Sequence, residues 1–115
     1  MMAKKDRVDV LELYPKPPRV RPYEMVFLVH PDLEEKAVQD LVKRIQERIE
    51  QVGGKVTKID FWGKRLLAYP IRKRRDAHYV LMHFQVPAQG MQEVQRFLRF
   101  QEPIMRHLIV RLDED

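Results

Sequence analysis

The sequence predicts an α+β domain of the ferredoxin-like type, in which a four-stranded antiparallel sheet carries two helices on one face. Three observations predict it. Segments with alternating apolar residues and segments with apolar residues every three to four positions follow one another as strand, helix, strand, strand, helix, strand. This βαββαβ order is typical of the ferredoxin-like fold. The length of 115 residues is sufficient for one such domain and too short for two.

The first strand and the first helix are predicted between residues 23 and 52. Tyr23 to His30 is rich in β-branched and aromatic residues and is apolar on both faces, as expected for a covered strand. Asp32 and Glu35 have the spacing of a capping box, so we expect Asp32 to cap the helix. Gly53 and Gly54 are expected to end it. The apolar stripe of this helix consists of Val38, Leu41, Ile45, Ile49 and Val52.

The next region has the pattern of a strand on both sides of a glycine. Apolar residues alternate from Lys55 to Ile71 with Gly63 between them. We expect a bulge or a sharp bend at Gly63, because glycine inside a strand often marks such a position. A hairpin at Gly63, which would give a five-stranded sheet, is the alternative. The polar segment Arg72 to Ala77 is expected to separate this strand from a third one, His78 to Val86.

A second amphipathic helix and a last strand complete the pattern. Pro87 ends the third strand, and Pro103 is expected to terminate the second helix. Met105 to Leu112 alternates as the last strand. The buried stripe of the second helix is predicted to consist of Met91, Val94, Phe97 and Leu98.

The chain divides into three parts. Residues 1–22 contain four of the eight prolines and are expected to form an extended basic arm. A short helix across Asp6 to Tyr14 is an alternative for part of this arm. Residues 23–112 form the predicted ferredoxin-like domain, and residues 113–115 are an acidic tail.

The composition argues against an enzyme. The chain has neither Cys nor Ser, and its single Thr57 lies in a predicted strand, so nucleophilic catalysis has almost no candidate residue. The four histidines lack the spacing of a metal site. No apolar run approaches the roughly 20 residues of a membrane span, and the lack of cysteine fits a reducing compartment. We predict a non-catalytic cytoplasmic protein with no metal, cofactor, membrane or small-molecule substrate.

A hydrolase of the acylphosphatase type on the same fold is a specific alternative. Such an enzyme needs an arginine-bearing phosphate loop after the first strand and a supporting Asn near the helix N-terminus. This chain has His30, Pro31 and Asp32 at that place and contains no Asn. The hydrolase interpretation is therefore disfavoured.

Positive charge is concentrated in one short stretch. The net charge is +5, and residues 63–77 contain six basic side chains and one acidic side chain. Basic groups that neutralise phosphates gain affinity from counterion release. These residues therefore predict a site for the phosphate backbone of a polyanion such as nucleic acid, with an ordinary solvated turn as the alternative. The candidate RNA-binding residues are Lys64, Arg65, Arg72, Lys73, Arg74 and Arg75.

Stacking of bases on the sheet is a different mode of RNA recognition. RNA-recognition modules on this fold stack bases on aromatic residues of a strand that corresponds to His78 to Phe84. This segment lacks the glycine-and-aromatic octamer that such modules carry. The sequence therefore favours binding of the RNA backbone over base stacking.

The basic stretch also carries a family resemblance. Residues Gly63 to Lys73, with the sequence Gly-Lys-Arg-Leu-Leu-Ala-Tyr-Pro-Ile-Arg-Lys, are similar to the signature of the bacterial small-subunit ribosomal protein six family. The resemblance covers about residues 22–112. It also includes Tyr23 and Glu24, Pro31, Gly53 and Gly54, Tyr79, and residues 106–111.

This resemblance implies a structural protein of the small ribosomal subunit. It implies binding to the central domain of 16S-type ribosomal RNA together with ribosomal protein eighteen. Carried over by position, Lys64, Arg65 and the run from Arg72 to Arg75 would face RNA phosphates or the edge of the partner protein. Leu66 departs from the family, which usually has a polar or charged residue there, so no salt bridge is carried over to it. The residues implied near the partner are Trp62, Arg65, Leu66 and Leu67.

The N-terminal arm is a second departure from the family, whose members usually begin close to the first strand. Arg19 and Arg21 are candidate RNA contacts that would become ordered on binding, and a disordered appendage is the alternative. For the whole chain, the alternative function is a free regulatory RNA-binding or oligomerising module on the same fold.

Overall fold

Four strands and two helices follow one another in the predicted order. The structure is a computed structural model and describes residues 19–113. Most of the predicted arm, including the alternative helix across Asp6 to Tyr14, and residues 114–115 of the predicted tail lie outside the described residues. The elements are β1 Val20–Val29, α1 Glu35–Gln51, β2 Lys55–Ile71, β3 Arg74–Pro87, α2 Ala88–Arg99 and β4 Ile104–Arg111.

The strands form one antiparallel sheet in the order β2-β3-β1-β4. The first strand lies in the interior of the sheet, between β3 and the last strand. This is the predicted ferredoxin-like arrangement, and the four-stranded sheet excludes the five-stranded alternative within residues 19–113. Since β2 and β4 lie at opposite edges, a contact between them must pass across the end of the sheet.

The core lies between one face of the sheet and the two helices. In β1, Met25, Phe27 and Val29 are fully buried, whereas Val26 and Leu28 on the other face are half-buried. This alternation follows from the two-residue period of a strand. The predicted stripe of α1 is buried apart from Val52, which is half-buried. The core is completed mainly by Val80, Met82, Phe84, Val86, Met91, Val94 and Leu98.

The start of α1 differs from the prediction. The residue at the N-cap is Glu34, and no side chain makes a capping hydrogen bond. Asp32 is two residues too early to cap, and its carboxylate instead forms an ion pair with Arg74, at 2.9 Å. The capping-box prediction for Asp32 was therefore wrong, because a residue distant in sequence takes the carboxylate.

The end of α1 follows the prediction. The Gly54 N–H donates to the carbonyl of Ile49, and the Gly53 N–H donates to the carbonyl of Glu50. This pair of hydrogen bonds defines a Schellman motif, and Gly53 has the positive φ of 88° that the motif requires. Gly54 allows a close approach, because a Cβ atom there would lie 2.5 Å from the carbonyl oxygen of Gln85 on β3.

The long strand β2 is bent where the sequence predicts. Its register against β3 shifts between Phe61 and Gly63, and Gly63 has a φ of 78°. The strand nevertheless continues to Ile71 and pairs with β3 on both sides of the shift. Gly63 is therefore a bulge, as expected, and the alternative hairpin at this residue is excluded.

Three strands begin earlier than predicted, β4 by a single residue at Ile104 and the other two by several residues. β3 begins at Arg74, because Arg74 to Ala77 pair with β2 where the sequence predicts a polar break. β1 begins at Val20 and includes Pro22, whose carbonyl accepts from the N–H of Leu112 at the end of the β1–β4 ladder. Proline is tolerated there because it lies beyond Tyr23 and Arg111, the last residue pair of the β1–β4 ladder.

Candidate nucleic-acid and protein interface

The β2–β3 hairpin turns through only two residues, Arg72 and Lys73, since Ile71 pairs with Arg74. Both turn residues have positive φ, at 51° and 64°. Two-residue turns of this kind fit the twist of the strands and are usually filled by Asn-Gly. Left-handed backbone costs a residue with a side chain about 1–2 kcal/mol. The backbone of the turn is therefore strained, and the turn places two basic side chains at the tip of the hairpin.

A wide irregularity in β2 precedes the turn. Leu66 pairs with Asp76 and Ile71 pairs with Arg74, so residues 67–70 of β2 lie opposite the single residue Arg75 of β3. Pro70 lies inside this irregularity, where no ladder hydrogen bond is lost. The extra residues bring the tyrosine of the signature, Tyr69, to the other edge of the sheet. There its hydroxyl oxygen accepts a hydrogen bond of 2.8 Å from Arg106 on β4.

Two arginines of the basic stretch make contacts with the folded domain. Arg72 donates through Nη1 to the carbonyl of Glu102, at 3.0 Å, and through Nη2 to the carbonyl of Ile104, at 3.3 Å. Arg74 pairs with the Asp32 carboxylate at 2.9 Å and lies 3.8 Å from the carboxylate of Asp76. The hairpin tip therefore reaches past the end of β1 to the beginning of β4.

The electrostatics of the tip follow from these contacts. The hydrogen bond from Arg74 is the largest cause that lowers the pKa of Asp32 below its ordinary value of 3.8, and the positive charge of nearby Lys64 lowers it further. The carboxylate thus stays ionised at neutral pH and compensates the charge of Arg74. Arg72, by contrast, has only neutral carbonyl oxygens as hydrogen-bond partners in residues 19–113.

The remaining predicted cations of the hairpin are exposed, as Arg72 also is despite its two hydrogen bonds. Lys64, Lys73 and Arg75 form no ion pair with any described residue. Arg65 lies over the ring of Trp62, at 5.8 Å from the ring centroid, and its Nε–H donates to the carbonyl of the same residue. The hairpin therefore presents several positive charges to solvent.

An apolar and aromatic surface lies beside these cations. The ring of Trp62 stacks on Tyr79 of β3, and its indole N–H donates to Asp60. Leu66 is 82% exposed, and Leu67 is half-buried. The four residues predicted to lie near a partner protein are close along β2 but do not share one face, since Arg65 lies over Trp62 whereas Leu66, opposite Asp76, faces the other side of this edge strand. A cleft of about 190 Å³ lies between α1 and the strands β2 and β3 and is lined by Glu35, Val38, Gln39, Phe61, Gly63, His78, Tyr79 and Val80.

The arginines of the predicted arm lie elsewhere. Arg19 is exposed just before β1, and Arg21 pairs with Asp113 at 3.3 Å. Arg74 of the hairpin contacts Asp32, which follows the opposite end of β1. The two ends of β1 are about 30 Å apart at 3.3 Å per strand residue. The structure therefore does not bring Arg19 and Arg21 together with the hairpin cations.

Sequence reasoning missed part of the exposed apolar surface. On β4, Leu108 is 65% exposed and Val110 is 45% exposed, on the sheet face that the helices leave open. The available signal was that residues 104–112 are apolar at both odd and even positions, although an edge strand with one covered face needs only one apolar row.

Residues 19–113 contain no group of three or more His, Cys, Asp or Glu side chains that could hold a metal ion. Neither of the two helices in this part of the chain has the length and apolar character needed to cross a membrane.

Comparisons with known proteins agree with this architecture. The sequence model described as Ribosomal protein S6 matches residues 22–111. The small ribosomal subunit protein bS6 of Carboxydothermus hydrogenoformans is 42% identical over 95 residues, which are 83% of this chain and 99% of that protein. The bS6 protein of Moorella thermoacetica is 41% identical over 96 residues, or 84% and 98% of the two chains.

A solved structure gives the same result. The crystal structure of 30S ribosomal protein S6 from Thermotoga maritima superposes with a TM-score of 0.76 at 32% identity, and the match covers 81% of this chain and 88% of that one. The residues matched by the family include all four strands of the sheet except Val20 and Arg21 at the start of β1. The chain therefore belongs to the ribosomal protein S6 family, a family of structural, non-enzymatic proteins of the small ribosomal subunit.

Proposed function

We propose that this chain, as a structural constituent of the bacterial small ribosomal subunit in the cytoplasm, binds the central domain of 16S-type ribosomal RNA together with ribosomal protein eighteen. The observation that carries the proposal is the β2–β3 hairpin, which combines exposed cations with an exposed apolar surface. The cations would hold RNA phosphates, and the apolar surface would pack against the partner protein.

The RNA part of the proposal is supported by charge and exposure. Lys64, Lys73 and Arg75 are solvated and have no carboxylate partner in the described chain, so they are available to neutralise phosphates. Binding would release counterions from the RNA, which makes affinity depend strongly on salt. Arg19 and Arg21 would contact a separate stretch of RNA, because they lie at the opposite end of β1.

The protein part of the proposal is supported by exposed apolar side chains. Leu66 projects into solvent, and Trp62 stays 38% exposed although it stacks on Tyr79. Aromatic residues and arginine are enriched at protein interfaces, where Arg65 over the Trp62 ring would add a polar contact. A partner that covers Leu66 and Trp62 would remove this apolar area from water.

The RNA contact is tested by a salt series. A central-domain fragment of 16S ribosomal RNA is titrated with the full chain and saturating ribosomal protein eighteen at several KCl concentrations. Changing Lys73 and Arg75 together to Gln should weaken binding and lower the logarithmic salt slope by about 1.4 to 1.8, because each lost phosphate contact contributes roughly 0.7 to 0.9. Changing Lys43 and Arg44 to Gln, on the exposed side of α1, is the control with the same charge change.

The outcomes of this series separate two interpretations. Equal salt slopes for the hairpin variant, the helix variant and the unchanged chain would contradict the proposed RNA site and leave the hairpin as a solvated turn. Sedimentation with small subunits through a salt wash series separates a resident ribosomal protein, which stays bound stoichiometrically, from a free regulatory module, which does not.

The partner contact is tested by removing an exposed leucine. Leu66→Ser should weaken binding of ribosomal protein eighteen measured by calorimetry, while leaving the free energy of unfolding within about 0.5 kcal/mol, because the side chain is solvated. Phe100→Ser is the matched control, since Phe100 is 74% exposed at the end of α2 and lies outside the proposed surface. Equal affinity of Leu66→Ser and the unchanged chain would place the partner elsewhere.

A further inference from the structure

We propose that Arg72 is a positioning residue that fastens the hairpin tip to the opposite edge of the sheet, and that Lys73 and Arg75 hold the RNA phosphates. The inference rests on the proposed RNA-binding function and divides the basic stretch into two roles. Four consecutive basic residues look equivalent in the sequence, but their side chains have different partners in the structure.

The contacts of Arg72 join segments that are distant in sequence. Its two terminal nitrogens donate to the carbonyls of Glu102 and Ile104, 30 and 32 residues further along the chain. Glu102 lies in the connection between α2 and the edge strand β4, and Ile104 is the first residue of β4. A planar guanidinium has two parallel donors for such a pair of acceptors, whereas the ammonium of lysine does not.

A second contact fastens the same region. The Tyr69 hydroxyl accepts from Arg106 on β4, and the Arg106 guanidinium lies 6.0 Å from the centroid of the Tyr69 ring. Tyr69 and Arg72 therefore attach both the irregular part of β2 and the turn to β4. The tip is held across the end of the sheet at two points.

The backbone of the turn supports the same role. Arg72 and Lys73 both have left-handed backbone, which residues other than glycine adopt only where the surrounding structure holds them. The hydrogen bonds of Arg72 to the α2–β4 connection provide this restraint. The adjacent Lys73 is then presented to solvent from a fixed turn.

Charge separates the remaining arginines. Arg74 is compensated by Asp32 at 2.9 Å, with Asp76 also near, so a phosphate would have to compete with carboxylates for it. Arg75 and Lys73 are exposed and form no ion pair within residues 19–113. These two side chains are therefore the available phosphate ligands of the tip.

The test compares single variants in the salt series with the central-domain RNA and saturating ribosomal protein eighteen. Arg72→Lys keeps the charge but loses the paired donors of the guanidinium. We expect affinity about fivefold to tenfold weaker with an unchanged salt slope, because RNA binding must then order a loosened tip, at a cost bounded by the lost hydrogen bonds, each roughly a twofold to tenfold change. Lys73→Gln should lower the slope by about 0.7 to 0.9. If Arg72→Lys binds like the unchanged chain and Arg72→Gln lowers the slope by one contact, Arg72 is a phosphate ligand and the proposal is overturned.

Amide hydrogen exchange decides the role of Arg72 without RNA. In Arg72→Lys, the amides of residues 71–75 should exchange faster than in the unchanged chain, whereas in Arg75→Lys, the matched control, they should not. Equal exchange in all three proteins would overturn the proposal. If the unchanged chain showed no salt-dependent RNA binding, the proposed function would fail, and exchange would still report whether Arg72 fastens the tip.

Discussion

Gly54 and Gly63 show two different reasons for a glycine in this chain. A Cβ atom on Gly54 would lie 2.5 Å from the Gln85 oxygen and 2.7 Å from a methyl of Ile49, so the limit there is space. A Cβ atom on Gly63 would meet nothing within 4 Å, and the limit there is the positive φ of 78°. One residue allows α1 to approach the sheet, and the other allows a bulge.

Replacement of these two glycines by alanine should therefore destabilise the fold to different extents. Gly54→Ala must move backbone atoms of β3 or of α1, so we expect a loss of about 3 kcal/mol or more in the free energy of unfolding, the upper part of the range for overpacking. Gly63→Ala, the comparison, should lose only about 1–2 kcal/mol from backbone strain. Urea denaturation measures both, and a larger loss at Gly63 would contradict this assignment.

His107 gives a prediction about pH. Burial is the main cause that lowers its pKa below the ordinary value of 6.5, and the charge of Arg99 contributes. Near and below pH 6.5, the folded chain therefore binds fewer protons than the unfolded chain. The free energy of unfolding consequently decreases as the pH falls from above 6.5 towards the lowered pKa of His107.

His107→Gln should make stability less dependent on pH between about 7 and 5, because Gln does not titrate. Urea denaturation at a series of pH values measures this dependence. His30→Gln is the control at a partly exposed histidine in the loop that follows β1. An unchanged pH dependence in His107→Gln would show that other groups cause it.

At the scale of elements, helix α1 lacks the cap that its sequence predicts. Glu34 occupies the N-cap with extended backbone, at φ −73° and ψ 158°, but its side chain makes no capping hydrogen bond. A carboxylate with one more methylene than Asp fits this position poorly, and Ser, Thr, Asp and Asn are the residues that cap well.

Glu34→Ser should therefore stabilise the protein by about 0.5–2 kcal/mol, because a hydroxyl at the N-cap can accept from a free helix N–H. Asp32→Ala should leave stability nearly unchanged, since Asp32 is not the cap and its ion pair is solvent-exposed. Thermal and urea unfolding of both variants check these values. If Glu34→Ser destabilised the protein and Asp32→Ala also clearly lowered the free energy of unfolding, Asp32 would be the cap after all.

At the scale of the whole molecule, β1 lies in the interior of the sheet and contributes fully buried side chains to the core. Phe27 on this strand is fully buried in the cluster that contains residues of both helices and of β3. Because β1 pairs with β3 and β4, its side chains contact segments from both halves of the chain. Loss of packing here should affect the entire domain.

Phe27→Ala should lower the free energy of unfolding by about 3–5 kcal/mol, the usual range for a buried phenylalanine, which is a large part of the 5–15 kcal/mol typical of a domain. Phe100→Ala is the matched control and should change it by less than about 0.5 kcal/mol, because Phe100 is largely exposed. Similar losses in both variants, measured by urea denaturation, would contradict the assigned core.

The sequence by itself determined the order of the elements, the end of α1 at Gly53 and an irregularity at Gly63, whereas the strand register showed that this irregularity is a bulge and not a hairpin. These features depend on burial periodicity and on backbone conformation, which a few neighbouring residues decide. The lack of Ser and Cys and the signature from Gly63 to Lys73 also came from the sequence alone. The family assignment followed from the same signature and was confirmed by the comparisons.

Only the tertiary structure decided which basic side chains have partners within the fold. Asp32 and Arg74 are 42 positions apart, and Arg72 and its first carbonyl acceptor are 30 positions apart. Such pairs form when strand register and the irregularity at residues 67–70 bring distant segments together. A local sequence pattern does not indicate which distant segments will meet. Four adjacent basic residues that look alike in sequence therefore have different surroundings in the folded chain, which only the structure shows.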